Sequence, residues 1–317
     1  MKSPLPVLAY YLHQLSPFAL EFREGFGLRW YGLAYVAAFL LGYFLYKRLA
    51  ERGYTDLPPG QVSDFITWAA VFGVMLGGRI GWIIFYGVKQ DHTGDPWWWP
   101  LEVWKGGMSS HGGILALVLF TWFWSRRHGV SWTSIGDSLV VVAPIGLLLV
   151  RVANFINGEL YGRPASVAWA VLFPTELHDH PELAAPLGVS PPQISNYLDL
   201  ARTHPEIAES LRTVLTPRHP SQLYEAALEG LVLFAILWFI RTRLRVPRGV
   251  LTGTFFILYA VLRIIGEAFR EPDPAWSVGM FSAGQFLSLF MVVIGAAFLV
   301  WGLRAPQFER AVARSPV

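Results

Sequence analysis

Seven apolar stretches, separated by polar or proline-rich segments, dominate the chain. They run near Arg29–Leu49, Val62–Gly87, His111–Ser125, Trp132–Ala153, Gln222–Ile240, Val250–Phe269 and Phe281–Leu303. A helix needs roughly 20 apolar residues to cross a bilayer, and most of these stretches approach that length. The third is short, so it is expected to extend back through Met108 or to border a thinned, polar pocket. Gly73, Gly77, Gly78 and Gly81 punctuate the second, which favours close helix packing. The segment Leu8–Phe26 mixes aromatic with polar residues, as an interfacial segment does. With Pro4, Pro6 and Pro17 among them, the first residues lack the clean apolar run of a cleavable signal peptide. The pattern predicts an all-α integral membrane protein of about seven transmembrane helices. Its expected parts are an N-terminal segment (1–28), spans one to four (29–162), a loop or small cap (163–217), spans five to seven (218–303) and a tail (304–317).

Charge sets the orientation. Lys47, Arg48 and Arg52 follow the first span and Arg126 and Arg127 the third. Arg241, Arg243, Arg245 and Arg248 follow the fifth, and Arg304, Arg310 and Arg314 the seventh. The opposite short loops hold only Lys89, Lys105 and Arg270. Basic loops stay in the cytoplasm, so the N-terminus and the 163–217 segment are expected in the periplasm and the C-terminus in the cytoplasm. Trp97, Trp98, Trp99 and Trp104 then form an outer interfacial belt.

Composition narrows the classes. The chain has 317 residues, 54% hydrophobic and 15% charged, against about 25% charged in soluble domains. A net charge of +3 with basic residues at span ends is orientation signalling, and no nucleic-acid partner is expected. With no cysteine, disulfides, iron–sulfur ligation and a cysteine nucleophile are excluded. His178 and His180 lack the further ligands that a metal site needs, so no metal or other cofactor is expected.

The candidate chemistry lies where polar groups meet apolar ones. Arg151-Val-Ala-Asn154-Phe-Ile-Asn157-Gly-Glu159-Leu-Tyr-Gly162 closes the fourth apolar run. Arg151 and Asn154 share a helix face, and Gly158 and Gly162 permit a break that would turn Glu159 back toward the arginine. Ser109 and Ser110 are good N-caps for a helix opened by His111, Gly112 and Gly113, whose backbone N–H groups would face an anion. Arg218-His219-Pro220-Ser221-Gln222-Leu223-Tyr224-Glu225 opens the fifth span. Tyr259, Arg263, Glu267 and Arg270 form one stripe on the sixth, and Tyr31 opens the first. Arg79 in the second is expected to pair with a carboxylate. All five clusters fall toward the outer half, where ionisable groups in a membrane mark function. An outward-facing pocket with several guanidiniums suits a phosphate, pairing with it in a fork. At a membrane surface that phosphate is most economically a phospholipid headgroup, with Tyr31, Asn154, Asn157 and Gln222 placed to orient a glycerol.

These residues resemble the prolipoprotein diacylglyceryl transferase family of the bacterial inner membrane. The family's signature G-R-x-[GA]-N-F-x-N-x-E-x-x-G is met from Val150 to Gly162, with Val150 in place of the first glycine. The elements W-Y-G (Trp30–Gly32), H-G-G (His111–Gly113), R-H-P-S-Q-L-Y-E (Arg218–Glu225) and Y-x-x-x-R-x-x-x-E-x-x-R (Tyr259–Arg270) stand in order. Thr175–Thr216 matches no element of the family. The resemblance implies transfer of the diacylglyceryl group of phosphatidylglycerol to the lipobox cysteine of a preprolipoprotein signal peptide, giving a thioether and glycerol 1-phosphate. It implies that His111 or a carboxylate takes the thiol proton and that Arg151 and Arg263 stabilise the departing phosphate. Glu267 would hold Arg263, and Glu159 would hold Arg151 or a glycerol hydroxyl. Tyr31, Asn154 and Tyr259 would position the headgroup, and Gly112, Gly113, Asn157, Gly162, His219, Gln222, Glu225 and Arg270 would complete its surroundings. Two other classes use the same arginines: a transporter of anionic lipids or organic anions, and a non-catalytic lipid-binding scaffold. A transporter should carry polar groups at both faces and often an internal repeat, and neither is visible.

Overall fold

A computed structural model of the chain describes residues 10–23, 26–89, 96–102, 106–271, 277–278, 281–304 and 306–309. Arg310, Arg314, Trp104 and Lys105 lie outside the described residues. The chain opens with strands β1 (Tyr11–Leu12), β2 (Phe18–Arg23) and β3 (Phe26–Arg29), then helix α1 (Trp30–Glu51). Helices α2 (Val62–Trp68) and α3 (Gly77–Phe85) are joined by a π-helical stretch, Ala69–Leu76, into one run from Pro59 to Phe85. Helices α4 (Ser110–His128) and α5 (Trp132–Asn157) follow, then strand β4 (Val171–Leu172). Short helices α6 (Glu176–Asp179), α7 (Ile194–Ala201) and α8 (Pro205–Leu211) lead to strand β5 (Pro217–Arg218). The next run joins α9 (Ser221–Glu225), a π-helical stretch at Ala226–Val232 and α10 (Leu233–Arg243). Helix α11 (Val250–Glu267), strands β6 (Ser277–Val278) and β7 (Phe281–Ser282), and helix α12 (Ala283–Arg304) complete it.

Among the described residues, five helical runs are long and apolar enough to cross a membrane: Trp30–Glu51, Pro59–Phe85, Trp132–Asn157, Ser221–Arg243 and Val250–Glu267. The other two expected spans are helical, α4 over 19 residues and α12 over 22. The third stretch is longer than its apolar pattern implies, because its helix runs on through Arg126, Arg127 and His128 to a left-handed Gly129 (φ 65°). The described residues are mostly helical, as the all-α expectation has it, with short strands in the segments outside the long helices.

The chain divides into two compact units. The first comprises Met1–Ala38, Pro144–Ile236 and Phe255–Gly295. Here β1, β4 and β5 form a three-stranded sheet, beneath which Tyr10, Leu12, Leu172, Leu177, Ile194 and Leu211 make a small core with α7 and α8. The proline-rich 163–217 segment therefore has its own buried apolar centre, to which the N-terminal strand contributes. Arg218 locks this part. Its guanidinium donates to Glu176 (2.7 and 2.9 Å) and Glu271 (2.8 Å) and lies over the Tyr161 ring. Burial pulls its pKa down, but Glu176, Tyr161 and Glu271 together raise it on balance.

The second unit comprises Phe39–Ala143, Leu237–Thr254 and Ala296–Val317. Helices α3 and α4 cross at glycine on glycine: a Cβ at Gly112 would lie 2.5 Å from the Gly77 carbonyl oxygen and 2.6 Å from Gly81 Cα. Small residues let the backbones meet, as in membrane helix pairs. Asp137 is fully buried and accepts from the N–H groups of Gly249 and Thr252, capping α11. Arg79, expected to pair with a carboxylate, has backbone carbonyl partners among the described residues. It donates to the carbonyls of Trp99, Pro100, Gly106 and Gly107 and lies over the Trp82 ring. A guanidinium carries enough donors to close a carbonyl-rich loop.

Gly112→Ala forces the α3–α4 crossing apart. Overpacking of this kind costs about 1–3 kcal/mol, so thermal unfolding in detergent should begin several degrees lower, whereas Gly129→Asn at the helix end should leave it nearly unchanged.

Candidate functional site

Helix α5 carries Arg151, Asn154 and Asn157 on its last turns and ends where Gly158 turns left-handed (φ 72°). Leu160 follows in the same left-handed region (φ 57°), which costs a non-glycine residue about 1–2 kcal/mol. Side chains from α9 hold the loop in that shape. Gln222 Nε2 donates to the Glu159 carbonyl (2.7 Å), and Ser221 Oγ donates to the Leu160 carbonyl (3.1 Å). Gly162 then bridges Arg270, and a Cβ there would lie 2.6 Å from the His219 carbonyl oxygen and closer still to that of Phe269. The last glycine of the signature is thus the meeting point of three backbone segments.

The break does turn Glu159 back, but onto a different partner than expected. Its carboxylate accepts from Asn154 Nδ2 (2.7 Å), which also donates to the Tyr31 hydroxyl (2.9 Å). Arg151 instead faces Glu225 (3.0 Å) and Glu229 (3.5 Å). Arg263 reaches the same two carboxylates (2.9 and 3.3 Å) and Glu267 (3.1 Å). Arg270 adds a contact to Glu225 (3.4 Å). Its place differs from the helical stripe: α11 ends at Glu267, and the turn beyond carries Arg270 back to Glu225. The helical Arg263–Glu267 pair forms as spaced.

The result is a lattice of guanidiniums on Arg151, Arg263 and Arg270 against carboxylates on Glu225, Glu229 and Glu267, formally neutral. Glu225 and Glu229 are fully buried, while Arg151 and Arg263 keep 15% and 14% of their side chains accessible. Buried carboxylates persist in such a place only when paired, and here each oxygen of Glu225 and of Glu229 lies toward a guanidinium. Glu229 is the residue that motif reading missed. Its signal is a second carboxylate four residues after Glu225 inside an apolar run, which places both on one helix face.

The remaining expected residues take defined places. Among the described residues, the amide oxygens of Asn154, Asn157 and Gln222 are buried without hydrogen-bond partners. Tyr259 stacks on Phe255. His219 Nδ1 meets the Tyr224 hydroxyl (3.2 Å) and its ring packs edge-on against Phe269, with burial lowering its pKa. His111, Gly112 and Gly113 belong to the second unit. His111 is exposed on the first turn of α4. The Gly112 and Gly113 N–H groups, expected to face an anion, are taken by the Ser109 side chain (3.4 Å) and carbonyl (3.0 Å). An N-cap serine satisfies the donors that a ligand would otherwise use.

Asn154→Asp replaces the donor shared by Tyr31 and Glu159 with a second carboxylate. An unpaired buried acceptor costs about 1–3 kcal/mol, and the added repulsion against Glu159 works the same way. The variant should unfold at lower temperature in detergent than Asn154→Gln.

Comparison with known proteins fits this geometry. A family model described as prolipoprotein diacylglyceryl transferase matches residues 17–301. A phosphatidylglycerol–prolipoprotein diacylglyceryl transferase of Rhodospirillum centenum is 41% identical over 300 residues, covering 92% of each chain. Proteins of the same name from Bdellovibrio bacteriovorus and Neisseria gonorrhoeae are each 36% identical, over 94% and 92% of this chain and 96% and 98% of their own. By a match that takes in both the arginine–glutamate lattice and the loop of Gly158–Gly162, the chain belongs to the prolipoprotein diacylglyceryl transferase family.

Proposed function

We propose that this multi-pass membrane protein transfers the diacylglyceryl group of phosphatidylglycerol to the cysteine thiol of a prolipoprotein. Full-length similarity to enzymes of that name carries the reading. The thiol loses its proton, and the thiolate attacks the glyceryl carbon that bears the phosphate ester. A carbon–sulfur bond forms, the carbon–oxygen bond breaks, and glycerol 1-phosphate departs with the electron pair. The acceptor is the lipobox cysteine of the signal peptide.

The lattice supplies what this reaction needs. Negative charge grows on the departing phosphate, and guanidiniums fixed in advance stabilise it without reorganisation. Arg151 and Arg263 are the residues for that role, with Arg270 beside them. Glu267 holds Arg263. The unpartnered amide oxygens of Asn154, Asn157 and Gln222 suit the hydroxyl donors of the glycerol headgroup, with Tyr31, Glu159 and Tyr259 shaping the same end. His111 is the proposed acceptor of the thiol proton, with Gly112 and Gly113 as its helix-start neighbours. Gly162, His219 and Glu225 hold the surrounding backbone and charges. The site faces the periplasm in a seven-span protein of the bacterial inner membrane, with the 163–217 segment as a periplasmic cap.

The direct test incubates purified protein with phosphatidylglycerol vesicles and a lipobox peptide and reads mass addition on the cysteine. No addition, with lipid binding retained, would leave a binding scaffold. Arg151→Lys and Arg263→Lys keep the charge but lose the planar fork. Each should lower turnover by more than about a hundredfold, on the order of 3 kcal/mol as for one oxyanion donor, with insertion unchanged. His111→Gln should bind phosphatidylglycerol yet lose most turnover, and an unchanged acid limb in its rate against pH would remove His111 from the base role.

Orientation is testable because the chain has no cysteine. In intact cells opened only at the outer membrane, an impermeant thiol reagent should label Ser190→Cys and spare Ser315→Cys. The reverse pattern would put the lattice at the wrong face.

A further inference from the structure

Glu229 lies within the apolar run Ser221–Arg243, fully buried, on the π-helical stretch Ala226–Val232. A carboxylate in a membrane segment persists only with a partner or a task, and π-helical turns recur at functional sites. Its neighbour Gly230 explains how it meets α5. A Cβ at Gly230 would lie 2.6 Å from Leu148 Cβ and 2.8 Å from Leu148 Cα, so the two backbones touch there. Arg151 sits one helical turn beyond Leu148, and the contact delivers it to the Glu229 carboxylate. On the other side α11 packs close by: a Cβ at Gly266 would lie 3.9 Å from Glu229 Oε1, in ordinary contact. One oxygen, Oε2, then faces Arg151 at 3.5 Å, and the other, Oε1, faces Arg263 at 3.3 Å.

From this we infer that Glu229 is a positioning residue that sets the spacing of the Arg151 and Arg263 guanidiniums for the transfer reaction. The inference rests on the transferase reading. Glu229 has no accessible surface, so it acts through the arginines and touches no substrate. Glu225 neutralises the same pair, but it also shares Arg270. Two like-charged guanidiniums repel each other, and a single shared carboxylate leaves them free to pivot about it. A second bridging carboxylate, one turn along the same helix face, removes that freedom.

The test uses the full-length protein in nanodiscs containing phosphatidylglycerol. Glu229→Gln keeps the volume but presents an amide NH2 group to one of the guanidiniums, so it can bridge only one. Turnover per folded molecule should fall at least 30-fold, while KM for phosphatidylglycerol stays within threefold, because the added positive charge compensates for poorer geometry. Glu229→Asp restores the charge with shorter reach and should recover part of the loss. A merely structural role would lower the amount of folded protein and leave the turnover of what remains intact. A second readout is independent of transfer: phenylglyoxal modification mapped by peptide mass spectrometry. Carboxylate pairing suppresses guanidinium reactivity, so Arg151 and Arg263 should react several-fold faster in Glu229→Gln than in wild type, relative to Arg202 as internal standard. Equal modification rates would overturn the inference, as would wild-type turnover in Glu229→Gln. An inactive wild type would overturn the transferase reading instead, and the modification rates would still decide the role of Glu229.

Discussion

A buried carboxylate shared among guanidiniums from different helices is the constraint on which the rest of the first unit depends. Glu225 has no accessible surface and contacts Arg151, Arg263 and Arg270. Removing either sign of charge from such a set leaves the other buried and unpaired, which costs more than the pair itself contributes. The helices that carry these residues, α5, the Ser221–Arg243 run and α11, are thereby committed to one register. Their apolar faces, which are interchangeable as hydrocarbon, do not specify that register. The polar lattice does.

Glycine makes the lattice reachable. Side-chain ion pairs demand backbones within a fixed distance, and bulky residues at the crossings would hold the helices apart. Gly230 lets the Ser221–Arg243 run meet Leu148, and Gly162 admits two carbonyls against its own α-carbon. In the second unit Gly77, Gly81 and Gly112 serve the α3–α4 crossing in the same way. A glycine-rich signature in a membrane protein therefore has two separate origins: backbone conformation, as at left-handed Gly158, and close approach, as at Gly162 and Gly112. Neither needs a ligand.

Much of this was legible in the chain. Apolar run length located the long helices, and charge at their ends located Arg151, Arg263 and Glu225, because a charge in a membrane segment is rare enough to stand out. The partners were less legible. Glu159 sits beside Arg151 in sequence, yet it accepts from Asn154, while Arg151 pairs across to Glu225 and Glu229. Helical spacing ranks neighbours on one helix and is silent about the facing one. Arg79 shows the same limit, since its carbonyl partners carry no side-chain signature. At Gly112 and Gly113 the serine that reads as a cap accepts from both N–H groups itself.

In the proposed reaction, the neutrality of the lattice would bear on how the anionic lipid is handled. A pocket of unpaired arginines would be costly to keep in a low-dielectric region and would hold any phosphate, product included, very tightly. Arginines already matched by Glu225, Glu229 and Glu267 carry a weaker net field, so a phosphodiester gains only part of the full Coulomb attraction on arrival. The departing monoester bears more negative charge than the diester from which it forms, and its closer ion contacts grow as the carbon–oxygen bond lengthens. Interactions that strengthen along the reaction are the ones that raise turnover, whereas uniform tight binding does not. In the proposed reaction, carboxylates placed behind the arginines would thus temper ground-state binding while leaving the guanidinium geometry in place for the charge that develops later.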